Sequence, residues 1–285
     1  MKRLIEEGRK ILQELTYPPW TVRQRKRGPH MKLPDGTWVR VKERRTGGGE
    51  AHSSVIKELG KIVDSGILEP GMSLADHVAE AQELRQKHAA GFDQAKKRLS
   101  AMAPEGARIT GRVKTMESIL GKIVRNPGKW EDWKYPRPGM ITDATGIRIE
   151  VDDLEQVFET AKKVQENYEV VFDDDYVNNP RGDYRSYHFT VVDEDGMTKE
   201  LQIRTPGQHD FAEWSHDVYK PQTPEQEVAL EHGSGELDKY SADMSDFIFK
   251  ADKGEDPVEP PPCPDVARNF FGCINPEKVR LRRRK

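Results

Sequence analysis

Hydrophobic spacing changes period several times along this chain, and each change predicts an element. Leu4, Ile5, Ile11, Leu12 and Leu15 recur at helical intervals and YPP ends the run, which predicts a helix over residues 2–15. Residues 53–64 and 73–101 repeat the helical pattern, the second opening on S-L-A-D and stopping at 102–106. The period then shortens to two. RITGRV (108–113) reads as a strand leading into the helix KTMESILGKIVR (114–125), and IRIEV, inside 140–151, reads as another strand. An amphipathic helix over 154–167 and a strand at 168–174 follow. SYHFTVV and TKELQIRT form a hairpin about the D-x-D-G turn at Asp193–Gly196. A helix opens at Pro206, and an acidic helical run over 223–250 is interrupted by HGSG at 232–235. Alternating strands and helices predict an α/β (α+β) fold, a mixed β-sheet flanked by helices.

Composition shifts this picture at the two ends. A chain of 285 residues with 35% hydrophobic residues and a mean hydropathy of -0.84 is expected to hold part of its length outside a packed core. The net charge of -3 hides an asymmetry: residues 1–50 carry thirteen Lys/Arg against six Asp/Glu, while 221–259 are mainly acidic. The expected division is a basic N-terminal extension with helix and hairpin (1–72), a central domain (73–220), and an acidic helix with a Pro-rich, basic tail (221–285). LPDGTWVRVKE is expected to be a solvated basic hairpin turning at Asp35–Gly36, with RNA stacking on Trp20 and Trp38 as the sharper alternative. The tail ending KVRLRRRK is expected to be disordered. Glu6 and Glu7 stand where a signal peptide needs apolar residues, and no stretch approaches a membrane span, so a cytoplasmic location without membrane contact is expected. Cys263 and Cys273 are too few for a zinc site and weak grounds for a disulfide.

The stretch 172–205 concentrates groups suited to phosphate and metal chemistry. Glu200, Gln202 and Arg204 alternate and share one strand face, while Leu201 and Ile203 turn to the core. Arg181, Arg185 and His188 precede them. Arg112, Lys114, Ser118 and Lys122 lie at a strand end and the following helix start, where free N–H groups and the helix dipole favour phosphate; taken alone they make a solvated basic face. Asp143 precedes a Gly-containing turn and Arg148 follows it. Asp143 with Glu200 supplies the hard oxygen donors that a Mg²⁺-nucleotide site needs. His77 and His88, eleven residues apart on one helix, are expected to be surface histidines. The pairs His209-Asp210 and His216-Asp217 lack the further His ligands of a metal hydrolase.

Four blocks then occur in a fixed order: GRVKTMESILGK, ITDATGIRI, DDDYVNNPRGDYRSYH and ELQIRTPGQHDFAEWSHDVYK. Together, over about residues 108–220, they resemble the synthetase domain of the RelA/SpoT family, including small stand-alone alarmone synthetases and toxic relatives. The resemblance implies a nucleotidyltransferase-like fold and a GTP pyrophosphokinase-like enzyme. That enzyme moves the β,γ-diphosphate of ATP to the 3′-hydroxyl of GDP or GTP, makes a (p)ppGpp-type alarmone and releases AMP. It further implies that Arg112 and Arg148 sandwich adenine, that Lys114, Ser118 and Lys122 hold ATP phosphates, and that Asp143 and Glu200 bind Mg²⁺, with Glu200 as proton acceptor. Tyr184 would stack on the acceptor base, Arg181, Arg185 and His188 would lie near acceptor or transferring phosphates, and Gln202 and Arg204 would support the site. A toxic relative would instead modify the 3′ CCA end of tRNA or make an adenosine alarmone, and would need a neutralising antitoxin. A catalytically silent nucleotide- or RNA-binding regulator is the reading from another class, and the presence of both Asp143 and Glu200 stands against it. The loop departs from the family: Arg181 replaces a lysine, one residue is missing, and Asp183 stands where glycine is usual. No His-Asp pair precedes Arg108, so a companion hydrolase domain is not expected.

Overall fold

The computed structural model describes residues 22–25, 28–32 and 38–40 by their backbone, and residues 58, 60–62, 64–66, 71–125, 135–221, 223–255 and 259–276 with side chains. The helix expected at 2–15 and the basic tail KVRLRRRK lie outside the described residues, the tail with its expected disorder and RNA contact. Two compact units are present, residues 1–90 with 113–144, and residues 91–112 with 145–285. The expected boundaries at 72/73 and 220/221 each fall inside one of them.

In the first unit, β1 (Val22–Arg25), β2 (Gly28–Lys32) and β3 (Trp38–Arg40) form an antiparallel sheet in that order, with Met31 opposite Val39 and Lys32 opposite Trp38. The expected hairpin is therefore β2–β3, and β1 joins it although VRQR lacks an alternating apolar pattern. Helix α1 (Leu74–Met102), whose residues divide between the units at 90/91, starts on a reciprocal cap: Asp76 N–H donates to Ser73 Oγ at 3.3 Å and Ser73 N–H to Asp76 Oδ2 at 2.6 Å. His77 and His88 are corrected here. Both are fully buried, on the stripe that also buries Val78, Ala81 and Leu84. Their three-turn spacing does put them on one face, but it is the inward face. Helix α2 (Met116–Arg125) buries Ile119, Leu120, Gly121 and Ile123.

The second unit is built on a mixed five-stranded sheet of β4 (Arg108–Val113), β5 (Thr145–Glu150), β6 (Glu169–Asp175), β7 (Tyr187–Val192) and β8 (Thr198–Arg204), in the order β4-β5-β8-β7-β6. β5 and β8 run parallel, whereas β7 is antiparallel to both its neighbours. One sheet face is aliphatic: Ile147, Ile149, Phe189, Val191, Leu201 and Ile203 are at most 1% exposed. Helix α3 (Leu154–Asn167), capped where Gln156 N–H donates to Asp153 at 2.9 Å, covers that face with Val157, Ala161 and Val164. Each such side chain contributes about 1.5–3 kcal/mol by leaving water. The β7–β8 turn closes where expected, Gly196 N–H donating to Asp193 O at 2.8 Å with Gly196 at φ 72°.

After β8, Thr205 and Gln208 form a capping box that starts α4 (Pro206–Tyr219). Helix α5 (Pro224–Asp252) then runs 29 residues without a break, correcting the expected interruption at HGSG. Gly233 is there for space: a Cβ on it would lie 2.6 Å from Val266 Cγ2, on the chain leading into and through α6 (Asp265–Phe270). A second core joins Phe211 and Trp214 of α4 to Leu237, Tyr240, Met244 and Phe247 of α5 and to Ala267 and Ile274. Trp214 Nε1 donates to Gly272 O at 3.0 Å, Ile274 N–H donates to Tyr240 Oη at 3.2 Å, and Cys263 is disulfide-bonded to Cys273. Residues 259–276, part of the expected Pro-rich tail, are thus packed against α4 and α5. Among the described residues no helix is long and apolar enough to cross a membrane.

Candidate active site

Strand register builds the site in the second unit. β5 sets Gly146 opposite Glu200, Arg148 opposite Gln202 and Glu150 opposite Arg204, and β7 sets His188 opposite Gln202. Because side chains alternate, all of these lie on the sheet face away from the aliphatic core. Gln202 Nε2 donates to Glu200 Oε2 at 3.4 Å and Arg204 Nη2 donates to Gln202 Oε1 at 3.2 Å, so the expected row exists as a linked chain. Its ends differ: the Arg204 side chain is 1% exposed and that of Glu200 27%. A Cβ on Gly146 would sit 3.5 Å from Glu200 Oε2, an ordinary van der Waals contact, so the β5 backbone passes close beside that oxygen.

His188 approaches Glu200 Oε1 to 4.0 Å, too far for a hydrogen bond, and lies 2.7 Å through Nε2 from Tyr184 Oη. Burial, then the Arg204 and Arg181 charges, push the His188 imidazole down to about 4. It is neutral at pH 7 and makes no ion pair with Glu200. Burial raises the Tyr184 phenol, which keeps its proton, and the direction of its hydrogen bond with Nε2 follows the imidazole tautomer. Tyr176, Tyr184 and His188 meet edge to face, with centroids 5.3–6.5 Å apart.

The shortened loop folds as a two-residue turn. Arg181 N–H donates to Tyr184 O at 3.2 Å and Tyr184 N–H to Arg181 O at 3.3 Å, with Gly182 at φ 63°. Gly182 takes the one positive φ of the turn, so Asp183 need not be glycine. Arg181 is exposed. Arg185 points elsewhere: Nη1 donates to Val177 O at 2.5 Å and the guanidinium lies 4.0 Å over the Phe249 ring.

Arg148 reaches α4, with Nη2 3.1 Å from Glu213 Oε1 and Nη1 3.2 Å from His209 Nδ1. His209 Nε2 in turn lies 3.7 Å from buried Glu150 Oε1. Burial, then Arg204, holds the His209 imidazole below its ordinary value. Glu150, His209 and Glu213 were not among the expected site residues. Period two from Arg148 reaches Glu150, and the i, i+4 spacing of His209 and Glu213 on a capped helix was the available signal.

The first unit carries a separate cluster. Lys114 Nζ lies 3.1 Å from Asp143 Oδ2 and donates to Asp143 O at 2.5 Å, and Lys122 Nζ pairs with the same Oδ2. Burial alone would raise the Asp143 carboxyl, but Lys114 and then Lys122 outweigh it and hold it below the usual carboxylate range. Asp143 Oδ1 is buried without a hydrogen-bond partner among the described residues. Thr115 caps α2, accepting from Ser118 N–H at 3.2 Å and donating to Ser118 Oγ at 3.0 Å. Arg112, in the second unit, is exposed. Each unit thus offers one carboxylate with an accessible or unpartnered oxygen. No group of three or more His, Cys, Asp or Glu suited to a metal exists among the described residues. A single carboxylate in either unit suits Mg²⁺, which is commonly held by one or two carboxylates and completes its octahedron from phosphate and water.

Residues 111–224 match the family model described as a region found in RelA / SpoT proteins. Those residues are a RelA/SpoT-family region. A probable GTP pyrophosphokinase of Mycobacterium leprae (strain TN) is 31% identical over 138 residues, 46% of this chain and 16% of that protein. A GTP pyrophosphokinase of Escherichia coli (strain K12) is 32% identical over 117 residues, 39% of this chain and 15% of that protein. The chain therefore spans about one sixth of the length of these curated relatives. The small alarmone synthetase 2 of Bacillus subtilis superposes with a TM-score of 0.46 at 19% identity, covering 60% of this chain and 93% of that one. All thirteen residues named for the site fall within the RelA/SpoT region, whereas α5 and α6 extend past its end.

Proposed function

We propose that this chain is a nucleotide 3′-pyrophosphokinase that transfers the β,γ-diphosphate of ATP to a ribose 3′-hydroxyl. The O3′–Pβ bond forms, the bond between Pβ and the oxygen bridging it to Pα breaks, and AMP leaves carrying that oxygen. The observation that supports this most is the linked row Glu200–Gln202–Arg204, with Glu200 at its more exposed end. Glu200 takes the hydroxyl proton. Gln202 fixes the carboxylate, and Arg204 fixes Gln202. Lys114 and Lys122 converge on one carboxylate oxygen, and an anionic phosphate competes for the same two ammonium groups. Bound Mg²⁺, held by Asp143 and Glu200, would neutralise phosphate charge. Arg112 and Arg148 are assigned to adenine and Tyr184 to the acceptor base. Such transfer depends mainly on alignment and charge stabilisation, which rigid strands supply.

The acceptor we favour is GDP or GTP, in keeping with the names of the curated relatives. A tRNA 3′ end is the second reading. It draws on Asp183 in the turn, which disfavours a highly phosphorylated acceptor, and on a loop that leaves Arg181 as its exposed cation. The test incubates the protein with γ-³²P-ATP, Mg²⁺ and, separately, GDP, GTP, ATP alone and deacylated tRNA. Label should move to one acceptor, and Glu200→Gln should lower the rate at least about 100-fold. No Glu200-dependent label on any acceptor would overturn the enzyme reading.

A further inference from the structure

Helix α5 lies beyond the RelA/SpoT region, yet three of its side chains are fastened around the acceptor loop. Ser245, 6% exposed, donates from Oγ to Asp183 O at 2.6 Å, at the tip of the two-residue turn. Phe249, one helical turn further, lies under the Arg185 guanidinium at 4.0 Å, and Lys253 covers the same ring at 4.5 Å. Asp252 accepts a 2.6 Å hydrogen bond from Thr205 Oγ1, at the residue that follows Arg204. The other side of Arg185 is tied to Val177 O at 2.5 Å, on the segment that leads into the loop. Asp183 and Asp246 supply the negative charge around it.

We infer that α5 is the brace that sets the acceptor loop, with Ser245 and Phe249 as positioning residues and Arg185 as the strut between them and Val177. This rests on the proposed transfer reaction for its kinetic meaning. It also changes the role of Arg185, which resemblance alone puts near acceptor or transferring phosphates. A guanidinium held between a backbone carbonyl and an aromatic face, with Nε buried, is poorly placed to meet a ligand phosphate. Arg181, exposed at the other end of the turn, remains for that purpose. The missing loop residue fits the same scheme. A two-residue turn has few internal contacts of its own, and the hydrogen bond from Ser245 fixes its tip from outside.

The test uses full-length Ser245→Ala and Phe249→Leu, with Lys239→Ala, an exposed α5 residue, as control. Phe249→Leu keeps an apolar side chain in place and removes the aromatic face, and melting curves check that each variant folds. With ATP saturating, both brace variants should raise KM for the acceptor at least 5-fold, with kcat and KM for ATP within 2-fold of wild type, while the control matches wild type. An equal fall in kcat for both substrates without a KM split would assign the residues to general stability and overturn the brace. Hydrogen–deuterium exchange over residues 178–186 gives a readout independent of turnover. Exchange there should speed at least 10-fold in both variants, and unchanged exchange overturns the brace whatever the kinetics show. If wild type transfers nothing to any acceptor, the reaction reading fails, and the exchange result still decides the brace.

Discussion

Gly233 and Gly235 sit two residues apart in the unbroken helix α5, yet alanine should act on them with opposite sign. In a helix interior alanine is favoured over glycine by about 1 kcal/mol, because glycine loses more backbone freedom. Gly235 is exposed and a Cβ there meets nothing within 4 Å, so Gly235→Ala should stabilise the second unit by about 1 kcal/mol. At Gly233 the added Cβ lies 2.6 Å from Val266 Cγ2 and 3.1 Å from Val266 Cβ and Cγ1. Valine is stiff at χ1 and cannot swing aside, so the segment carrying α6 must move, against its disulfide and the Gly272 and Ile274 hydrogen bonds. Overpacking of this kind costs about 1–3 kcal/mol. Set against the propensity gain, Gly233→Ala should range from neutral to about 2 kcal/mol destabilising, leaving a gap of about 1–3 kcal/mol between the variants. Urea unfolding followed by far-UV circular dichroism and tryptophan fluorescence measures it. Val266→Ala removes the obstructing methyls, so Gly233→Ala in that background should recover most of its loss. A Gly233→Ala variant as stabilised as Gly235→Ala would show that α6 does not press on α5 here, and the reasoning would fail.

Three further outcomes are expected. His188 titrates near 4 in the fold against 6.5 for the free side chain, so the unfolded chain takes up the proton first as pH falls. Its contribution is present above pH 6.5 and is lost as pH drops towards 4, on the order of 3 kcal/mol over the full shift; His188→Gln should flatten urea stability across that window. Asp143 has a depressed value, so its contribution is present above its unfolded value near 3.8 and is lost as pH falls below it. Asp143→Asn leaves Lys114 and Lys122 facing one another uncompensated, and should cost about 1–3 kcal/mol in urea unfolding at pH 7, a loss that high salt reduces. The Cys263–Cys273 bond closes a loop of sequence separation 10, so replacing both by serine should cost about 3 kcal/mol on a chain-entropy basis. Limited proteolysis should then cut within 259–276, and an unchanged cleavage pattern would show that packing alone holds the segment.

Much of the sheet was legible because each strand carries its own signal. The alternation of Leu201 and Ile203 with Glu200, Gln202 and Arg204 reports a half-buried strand, and that pattern survives any arrangement of its neighbours. The four blocks are legible for the same reason, since their polar residues sit on strand faces and at helix starts that local spacing defines. What failed depended on partners remote in sequence. His77 and His88 share a face, but only packing says whether that face is inward. HGSG reads as a breaker because glycine is costly in a helix, and the compensating contact comes from Val266, more than thirty residues on. The contact of Arg185 with the Phe249 ring of α5 likewise carries no local signal, because the two residues lie more than sixty positions apart. Glu150 was passed over because its partners, His209 and Arg108, arrive from α4 and β4.

The two faces of the sheet give a physical reason, separate from family resemblance, to propose the chemistry where Glu200 lies. One face is filled by Ile147, Ile149, Leu201 and Ile203, which ask nothing of their surroundings but exclusion of water. The other buries Glu150 and Arg204 almost completely and leaves Arg148 Nε, Glu150 Oε1 and Arg204 Nε without hydrogen-bond partners among the described residues. Burying a charge costs several kcal/mol, and well-packed apolar side chains would fill the same volume at less cost. Stability alone does not explain such a row. Its members are ordered outward from the buried Arg204 through Gln202 to Glu200, so the desolvated end holds the accessible end in place. A carboxylate fixed in this way meets a reacting hydroxyl without reorganising, which is the property that a positioned proton acceptor requires.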